Sequence, residues 1–315
     1  MDTTSFEDLP HEIQESVSQY LDQWDLRVCV GVSRAWRSMF HSHLWRHVHI
    51  IWRWDTRLSN TPTELKTNGH LIRSLRLECD EIYLHEFYWA VGYKFVPGFF
   101  DALIEHAAPT LEVLRFEGVL TISGNDINRT LCSAPNLKEL RFAHDGIYGA
   151  NSCIKAQDIV NSEWVCNDLE VFAWPIGAIP RPDITRALYG GRNHGGGTLQ
   201  ESINLQRRVY AKLARLTKLR ELSLGMPLTM DKPWVIDDVE IYVGSTEDYR
   251  QCDGLAMTLD SGLDLLRDLK NLRIVGLTDM EVYIDGDKEQ TWVAEHWPNA
   301  TIEFIGYERD SDSDL

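Results

Sequence analysis

The amino-acid sequence predicts a small three-helix module at the N-terminus, followed by an irregular α/β solenoid of stacked repeats. The first observation is a helical spacing of apolar residues in three short segments between residues 9 and 41. The second is a six-residue pattern, apolar at positions 1, 4 and 6, that recurs from residue 45 onwards. The third is a helical stretch before most copies of this pattern. A helix and a short strand bury both faces only when such units stack, so the pattern predicts a repeat architecture.

The first and third helices of the module have clear sequence signals. The first helix is expected within residues 9–21, where Pro10 suits the first turn because its missing N–H costs nothing there. Its apolar side chains share one stripe: Ile13, Val17, Tyr20 and Leu21. The third helix is expected to begin after Ser33, a favourable N-cap residue, and to end near His41.

The second helix, in DQWDLRVCVGV, has a different pattern. Its apolar residues spread almost all the way round a helix: Leu26, Val28, Cys29, Val30 and Val32. A module of about forty residues leaves a large fraction of its surface exposed, so three short helices cannot bury that much apolar surface among themselves. We therefore expect something outside the module to cover the surplus.

The recurring pattern predicts eight short strands. Seven clear copies lie at 45–50, 72–77, 111–116, 137–142, 169–174, 219–224 and 272–277, and a weaker copy at 299–304. Spacings of 26 and 27 residues between copies match a leucine-rich-repeat length. One more repeat is expected between residues 224 and 272, either at VIDDVEI or around LAMTL. The alternative, a doubly wound α/β sheet, requires longer apolar strands and a glycine-rich phosphate turn, and the sequence has neither.

These patterns divide the chain into a helical module at 1–48, a leucine-rich-repeat solenoid at 45–306 and an acidic disordered tail at 307–315. The spacing of the copies requires insertions, and the glycine-rich segment about 176–202 is expected to be a flexible one. Because the first strand copy begins within the last residues of the module, the two parts are expected to be joined rigidly.

The composition of the chain limits the classes of function that it can have. The 315-residue chain has a formal net charge of −17, and residues 225–315 carry 7 basic and 21 acidic residues, or −14. General nucleic-acid binding is therefore not expected, because it requires a basic face. The acidic third serves either solubility or the binding of a basic partner segment.

The expected compartment is the cytoplasm or the nucleus. The acidic N-terminus lacks the apolar core of a secretory signal, and the longest apolar run, AVGYKFVPGFF, is too short to span a membrane. Six cysteines occur without C-x-x-C spacing, which is typical of reduced thiols.

Motifs for catalysis or cofactor binding are missing from the sequence. GGRNHGGG lacks the lysine and hydroxyl of a phosphate loop, so a surface loop is expected there. His43 and His47 are four residues apart, but that stretch offers no Cys, Asp or Glu as a third metal ligand. We expect a binding protein without catalytic residues, cofactor or metal.

The module resembles the F-box family. The order LPxEI, YL, DL, C, VSR, WR and LW runs from Leu9 to Trp45 with the spacing of that family. The resemblance implies a three-helix module that docks on the Skp adaptor of SCF-type (Skp–cullin–F-box) ubiquitin ligases. Seven residues match family positions that pack at or beside the adaptor: Leu9, Pro10, Ile13, Leu21, Leu26, Val32 and Trp36. The adaptor would then cover the surplus apolar surface.

The repeats resemble those of F-box proteins with leucine-rich repeats, which hold the protein to be ubiquitinated. The resemblance implies a substrate-recognition subunit, linked through the adaptor to a cullin–RING scaffold, with an unknown protein substrate. The usual Asn after each strand is missing from the sequence. The alternative function is that of a leucine-rich-repeat scaffold that binds a partner without directing its ubiquitination.

The residue between the last two apolar positions of each copy should project to the concave face, because strand side chains alternate. These residues are His49, Arg76, Arg115, Arg141, Ala173, Ser223, Gly276 and Glu303. The three arginines either clamp an acidic or phosphorylated substrate segment, or are neutralised in cross-strand pairs. The acids available for such pairs are Glu78, Glu117 and Glu139.

Overall fold

The structure is a computed structural model of the whole chain. It describes residues 6, 9–52, 61–79, 93–94, 97–117, 120–143, 153–180, 197–224, 234–236, 239–241, 254–276 and 287–303. The predicted tail at 307–315 lies outside these residues.

Three helices form the N-terminal module: α1 (His11–Ser18), α2 (Gln23–Val32) and α3 (Arg34–Arg46). The Ser33 side chain accepts a hydrogen bond from the backbone N–H of Trp36 at 3.1 Å, which confirms the predicted N-cap. The predicted end of α3 near His41 is wrong. The apolar stripe of Trp36 and the buried Phe40 continues for another turn to Leu44, and the helix follows it.

Eight parallel strands form the main sheet, and their spatial order follows the chain. They are β1 (His47–Trp52), β2 (Ser74–Cys79), β4 (Val113–Glu117), β6 (Glu139–Ala143), β8 (Val171–Ala173), β10 (Glu221–Ser223), β13 (Ile274–Gly276) and β14 (Thr301–Glu303). Each predicted copy contains one strand, but every strand begins two residues later than predicted, and Trp45 therefore lies in α3. The first apolar residue of a copy, such as Leu111, is buried in the turn that precedes the strand.

Shorter elements complete the fold. Two small parallel pairs lie beyond the main strands: β3 (Tyr93–Lys94) with β5 (Leu120–Thr121), and β7 (Ile154–Lys155) with β9 (Ile176–Gly177). The helices between strands are α4 (Thr61–Asn68), α5 (Phe99–Ala102), α6 (Gly124–Leu131), α7 (Ala156–Asn161), α8 (Leu199–Leu213) and α9 (Asp287–His296). A π-helical turn at Leu103–Ala107 and 3-10 helices at Gly69–Leu71 and Leu263–Asp268 accompany them.

The expected additional repeat between residues 224 and 272 does not contribute a strand to the sheet, because β10 pairs directly with β13. Residues of VIDDVEI belong instead to an antiparallel pair of strands, β11 (Trp234–Ile236) and β12 (Val239–Ile241). LAMTL is a loop whose first three residues are buried, and side chains of α8 are hydrogen-bonded to it. The Tyr210 hydroxyl donates to the Ala256 carbonyl at 2.9 Å, and the Gln206 side chain accepts from the Ala256 N–H at 2.8 Å.

One apolar core runs along the helix-covered face of the sheet. Six central strand residues at equivalent positions are fully buried: Leu75, Leu114, Leu140, Phe172, Leu222 and Val275. Val48 of β1 and Ile302 of β14, on the two edge strands, are only partly buried. Trp174 lies between Phe116, at a ring-centroid distance of 5.5 Å, and Phe142, at 4.7 Å. These six strands therefore bury their central residues in one shared core.

The predicted flexible insertion at 176–202 has wrong boundaries. Its first residues form β9, and the Ile179 side chain is buried. Its last residues belong to α8, which begins with a capping box between Thr198 and Glu201. The part of this prediction that concerns residues 181–196 falls outside the described residues.

The module and the sheet are joined without a linker. Helix α3 ends at Arg46 and β1 begins at His47. The Arg46 carbonyl accepts the backbone N–H of Arg73 at 2.9 Å, so the last residue of α3 is already hydrogen-bonded to the start of β2. This geometry agrees with the expected rigid joint.

Candidate protein-docking surfaces

The helical module exposes most of the large apolar side chains that reach solvent in the described part of the chain. Seven such side chains are exposed among the described residues, and six of them lie between residues 13 and 51. They are Ile13 (48%), Tyr20 (87%), Trp24 (71%), Val28 (56%), Val32 (60%) and Ile51 (41%), and the seventh is Leu199. The apolar surplus expected from the sequence is therefore present at the surface of the module.

Helix α2 carries the core of this surface. Trp24, Val28 and Val32 are spaced by four residues, which places them along one side of the helix. We call these three residues the α2 stripe. A methyl group added at Gly31 would meet no atom within 4 Å, so the helix surface beside Val32 is open. An exposed apolar stripe of this kind is typical of a surface that a partner covers.

The seven predicted adaptor-binding residues divide into three groups. Pro10, Ile13 and Val32 are exposed, whereas Leu9 and Leu21 are half-buried. Trp36 is also half-buried. Its ring lies 5.6 Å from that of Phe6 and 5.5 Å from that of Phe40, which is buried in the module.

Leu26 is only 7% exposed, so its side chain serves mainly the interior of the module. Sequence reasoning also omitted Tyr20, Trp24 and Val28 from the candidate contacts. The four-residue spacing of Trp24, Val28 and Val32 along α2 is a signal for two of them, whereas Tyr20 precedes the helix, so the spacing is no signal for it.

A cavity of about 350 Å³ lies between the helices and the start of β1. It is lined by Ser18, Gln19, Leu21, Gln23, Leu26, His43, Leu44, Arg46 and His47. His43 and Ser18 are joined by a 3.0 Å hydrogen bond between Nδ1 and the hydroxyl oxygen. Burial and the charge of Arg46 lower the pKa of His47. His43 and His47 thus share a cavity, but the described residues contain no group of three metal-ligating side chains.

The predicted row on the open face of the sheet is confirmed in its register. His49, Arg76, Arg115 and Arg141 lie opposite one another on β1, β2, β4 and β6. Ala173, Ser223, Gly276 and Glu303 continue the row on β8, β10, β13 and β14.

The arginines of this row are paired with carboxylates, as the neutralisation hypothesis expected. Arg76 binds Glu117 and also Glu78, at 3.1 Å. Arg115 makes a two-point contact with Glu139, at 2.6 and 2.9 Å. We call the paired residues of the sheet face the charge ladder.

Arg141 bonds to Glu221 at 2.6 and 2.7 Å, in addition to Glu139 at 3.1 Å. Glu221 belongs to β10 and reaches across β8, where the small Ala173 leaves room. Burial raises the pKa of Glu139, but the hydrogen bonds from Arg115 and Arg141 outweigh it and hold that pKa below its ordinary value. The guanidinium groups are thus already bound to acids of the chain itself.

Comparison with known protein families finds one match. Residues 6–51 match the F-box-like family model. No curated protein matches the chain. No helix in the described residues is both long enough and apolar enough to cross a membrane. The match covers α1, α2, α3 and most of β1, the part of the chain that carries the exposed apolar side chains.

Proposed function

We propose that this chain, whose residues 6–51 form an F-box-like domain, is the substrate-recognition subunit of an SCF-type ubiquitin ligase. The domain binds the Skp adaptor and, through it, a cullin–RING scaffold. The chain itself is not an enzyme and acts by holding a target protein near the transfer site, in the cytoplasm or the nucleus. The observation that carries this proposal is the coincidence of the family match with the concentration of exposed apolar side chains in the same residues.

The energetics favour a protein partner for this surface. Burying a Trp or Val side chain that is otherwise in water contributes roughly 1.5–3 kcal/mol. Trp24, Val28 and Val32 are each more than half exposed, so their burial supplies a substantial part of a stable interface. Covering the α2 stripe with the adaptor would bury three of the six exposed apolar side chains of this region.

The sheet region is proposed to be a leucine-rich-repeat solenoid that binds the target. Eight parallel strands in chain order support this proposal, because neighbouring repeats of a solenoid pair in sequence. A repeated turn supports it as well. The Asn136 side-chain amide donates to the Pro109 carbonyl at 2.7 Å, and that of Asn271 donates to the Thr217 carbonyl at 3.0 Å. These asparagines precede their strands, whereas the usual Asn of leucine-rich repeats follows the strand.

Binding to the purified Skp adaptor tests the first step. Replacing Trp24 and Val28 by Ala should weaken binding at least about 30-fold, because two large contacts of roughly 1 kcal/mol or more each are lost. Leu199→Ala is the matched control, since Leu199 is a similarly exposed apolar residue outside the domain. A wild-type chain that does not bind the adaptor, or a double variant that binds as tightly, contradicts the proposal.

The second step is tested in cells in which the proteasome is inhibited. Proteins captured by wild type and by the Trp24→Ala/Val28→Ala variant should be the same, because the variant keeps the sheet. These captured proteins should be ubiquitinated in the presence of wild type and not in the presence of the variant. A target that stays equally ubiquitinated with both chains would favour the scaffold function over the ligase function.

A further inference from the structure

Ile51 is the one exposed large apolar side chain that the described strands carry, and it lies on β1, where the F-box-like domain and the sheet overlap. Strand side chains alternate, so Ile51 shares the open face of the sheet with His49, while Val48 and Ile50 pack against the core on the other face. The α2 stripe lies on a helix instead. Contact between the adaptor and that stripe therefore does not account for Ile51.

Two glutamates follow Ile51 across the open face. In the register of the sheet, Ile51 lies opposite Glu78 of β2, and Glu78 lies opposite Glu117 of β4. Neighbouring strands are about 5 Å apart, so the three residues form a line of roughly 10 Å near the ends of these strands. The side chains of Glu78 and Glu117 are 32% and 24% exposed, so both carboxylates can be reached from solvent.

These two carboxylates have less compensation than Glu139 of the charge ladder. Glu139 accepts hydrogen bonds from both Nε and Nη2 of Arg115. Arg76 instead makes its closest contact with both Glu78 and Glu117 through one nitrogen, Nη2, and its buried Nε has no hydrogen-bond partner. Arg115 also interacts with the charge of Glu117, but its own hydrogen bonds are made to Glu139. One guanidinium thus serves two carboxylates.

The charges at this end of the charge ladder do not balance. His49 is the other basic residue in contact with the two acids, with its Nε2 at 2.8 Å from Glu78. With histidine counted as neutral, His49, Arg76, Glu78 and Glu117 carry one positive and two negative charges, or −1. Like charges directly opposite each other destabilise a sheet, so a further cation between Glu78 and Glu117 would be stabilising.

We propose that the target protein presents an extended segment with an apolar side chain against Ile51 and a Lys or Arg between Glu78 and Glu117. This inference rests on the proposed function, because it names the chemistry of the segment that the sheet would bind. An acidic or phosphorylated segment fits this place less well, since it would meet two carboxylates and an arginine that already serves both.

The register also sets the spacing of the two side chains in the segment. The midpoint between Glu78 and Glu117 lies about one and a half strand spacings, roughly 7 Å, from Ile51. In an extended segment, side chains two residues apart point to the same side and are separated by about 6.5–7 Å. The apolar and the basic residue of the target are therefore two positions apart, in a segment that runs across the strands.

Binding of the full chain to immobilised peptides tests this spacing. Each peptide contains one Leu and one Lys, separated by one, two, three or four positions, with Ser and Thr elsewhere. The signal should be highest for a separation of two positions. Replacing the Lys of that peptide by Glu should lower the signal about threefold, and the difference should shrink at high ionic strength because the charges are screened.

Variants of the two glutamates test where the Lys binds. Glu78→Gln/Glu117→Gln should abolish the preference for Lys over Glu. Glu105→Gln/Glu163→Gln is the matched control, since it removes the same charge from two exposed residues outside the sheet and should keep the preference. Equal losses in the two variants would overturn the inference, because the effect would then be a general one of net charge.

Ile51→Ser tests the apolar contact, with Leu199→Ser as the matched control. Only Ile51→Ser should abolish the preference for Leu over Ser in the peptide, and it should leave the affinity for purified Skp adaptor unchanged within about twofold. Weaker adaptor binding by Ile51→Ser, with thermal unfolding as in wild type, would assign Ile51 to the adaptor surface and overturn the inference.

The wild-type chain separates this inference from the proposed function, even where a variant is destabilised. Wild type that binds the adaptor but shows no preference for Lys, or none for a separation of two positions, overturns only the inference. Wild type that shows both preferences but does not bind the adaptor overturns only the proposed function. A preference for Glu over Lys overturns the inference in favour of an acidic segment.

Discussion

Large apolar side chains are exposed on the F-box-like domain but buried in the parallel sheet. In the domain, Trp24 is 71% exposed and three of the larger side chains of α2 reach solvent. In the sheet, Trp174 is fully buried, as are the central residues of six strands. The sheet therefore has a complete core of its own, whereas the domain is folded around a small core and keeps an uncovered apolar side. Among the described residues, the exposed large apolar side chains are therefore concentrated in the domain, with Leu199 the exception.

The largest expected effect comes from comparing two tryptophans. Trp174→Ala should lower the free energy of unfolding by about 3–5 kcal/mol, because it leaves a cavity between Phe116 and Phe142. Trp24→Ala should change it by less than about 0.5 kcal/mol, because an exposed side chain leaves no cavity. Denaturant unfolding followed by circular dichroism measures both. Equal losses in the two variants would remove the contrast between the regions.

Alanine substitutions at two glycines test the same contrast between the sheet region and the domain. A Cβ atom at Gly124 would lie 2.0 Å from the Cys153 carbonyl oxygen, so Gly124→Ala should cost about 1–3 kcal/mol through displaced backbone. Gly31 lies in α2 with open space around it, so Gly31→Ala should stabilise the domain by up to about 1 kcal/mol through helix propensity. Unfolding of each variant is compared with wild type. Tolerance of Ala at position 124 would contradict the close approach of the two backbones.

The charge ladder yields an intermediate effect. Arg115→Glu removes a two-point ion pair and places a carboxylate beside Glu139, so stability should fall by about 1–2 kcal/mol, since the Arg115 side chain is 42% exposed. Combining it with Glu139→Arg should recover part of that loss, which thermal unfolding measures. If Arg115→Glu left stability unchanged but abolished target binding, the clamp hypothesis would be favoured instead.

The smallest expected effect is a difference in acid sensitivity. The pKa of His47 is lowered in the folded domain, so the unfolded chain binds a proton at this residue more readily. The contribution of His47 to the free energy of unfolding therefore falls as the pH drops below 6.5. The pKa of Glu139 is also lowered, so its contribution is present above pH 4.5 and is lost as the pH falls through the folded value. His47→Gln should remove the first change and Glu139→Gln the second. Unfolding monitored from pH 8 to pH 3 tests this order.

Strand positions and register were predictable because every copy of the pattern has the same parity. The opposition of Arg76, Arg115 and Arg141 follows from that parity alone. The predicted strands begin two residues before the observed ones, because the sequence does not distinguish a buried Leu in a turn from a buried Leu in a strand. The same confusion assigned Trp45 to a strand and ended α3 too soon.

Long-range pairs were not predictable. Glu221 lies eighty residues from Arg141 in sequence, and their bond crosses β8, in which Ala173 is paired with Arg141 in the register. The α2 stripe was missed for a different reason. The apolar residues of α2 were recognised as a surplus, but they were not sorted by helix face, which separates the exposed Trp24 and Val28 from the buried Leu26.

The direct passage from α3 into β1 has a geometric consequence for the proposed ligase function. A flexible tether would let a captured protein sample many distances, and its lysines would compete by accessibility. Without a hinge at Arg46 and His47, the sheet has one angle to whatever holds the F-box-like domain. Under the proposed function, this fixed angle would select which lysines are modified: those of a bound protein that lie at the reach it sets. A bound protein whose lysines all lie elsewhere would be held without being ubiquitinated.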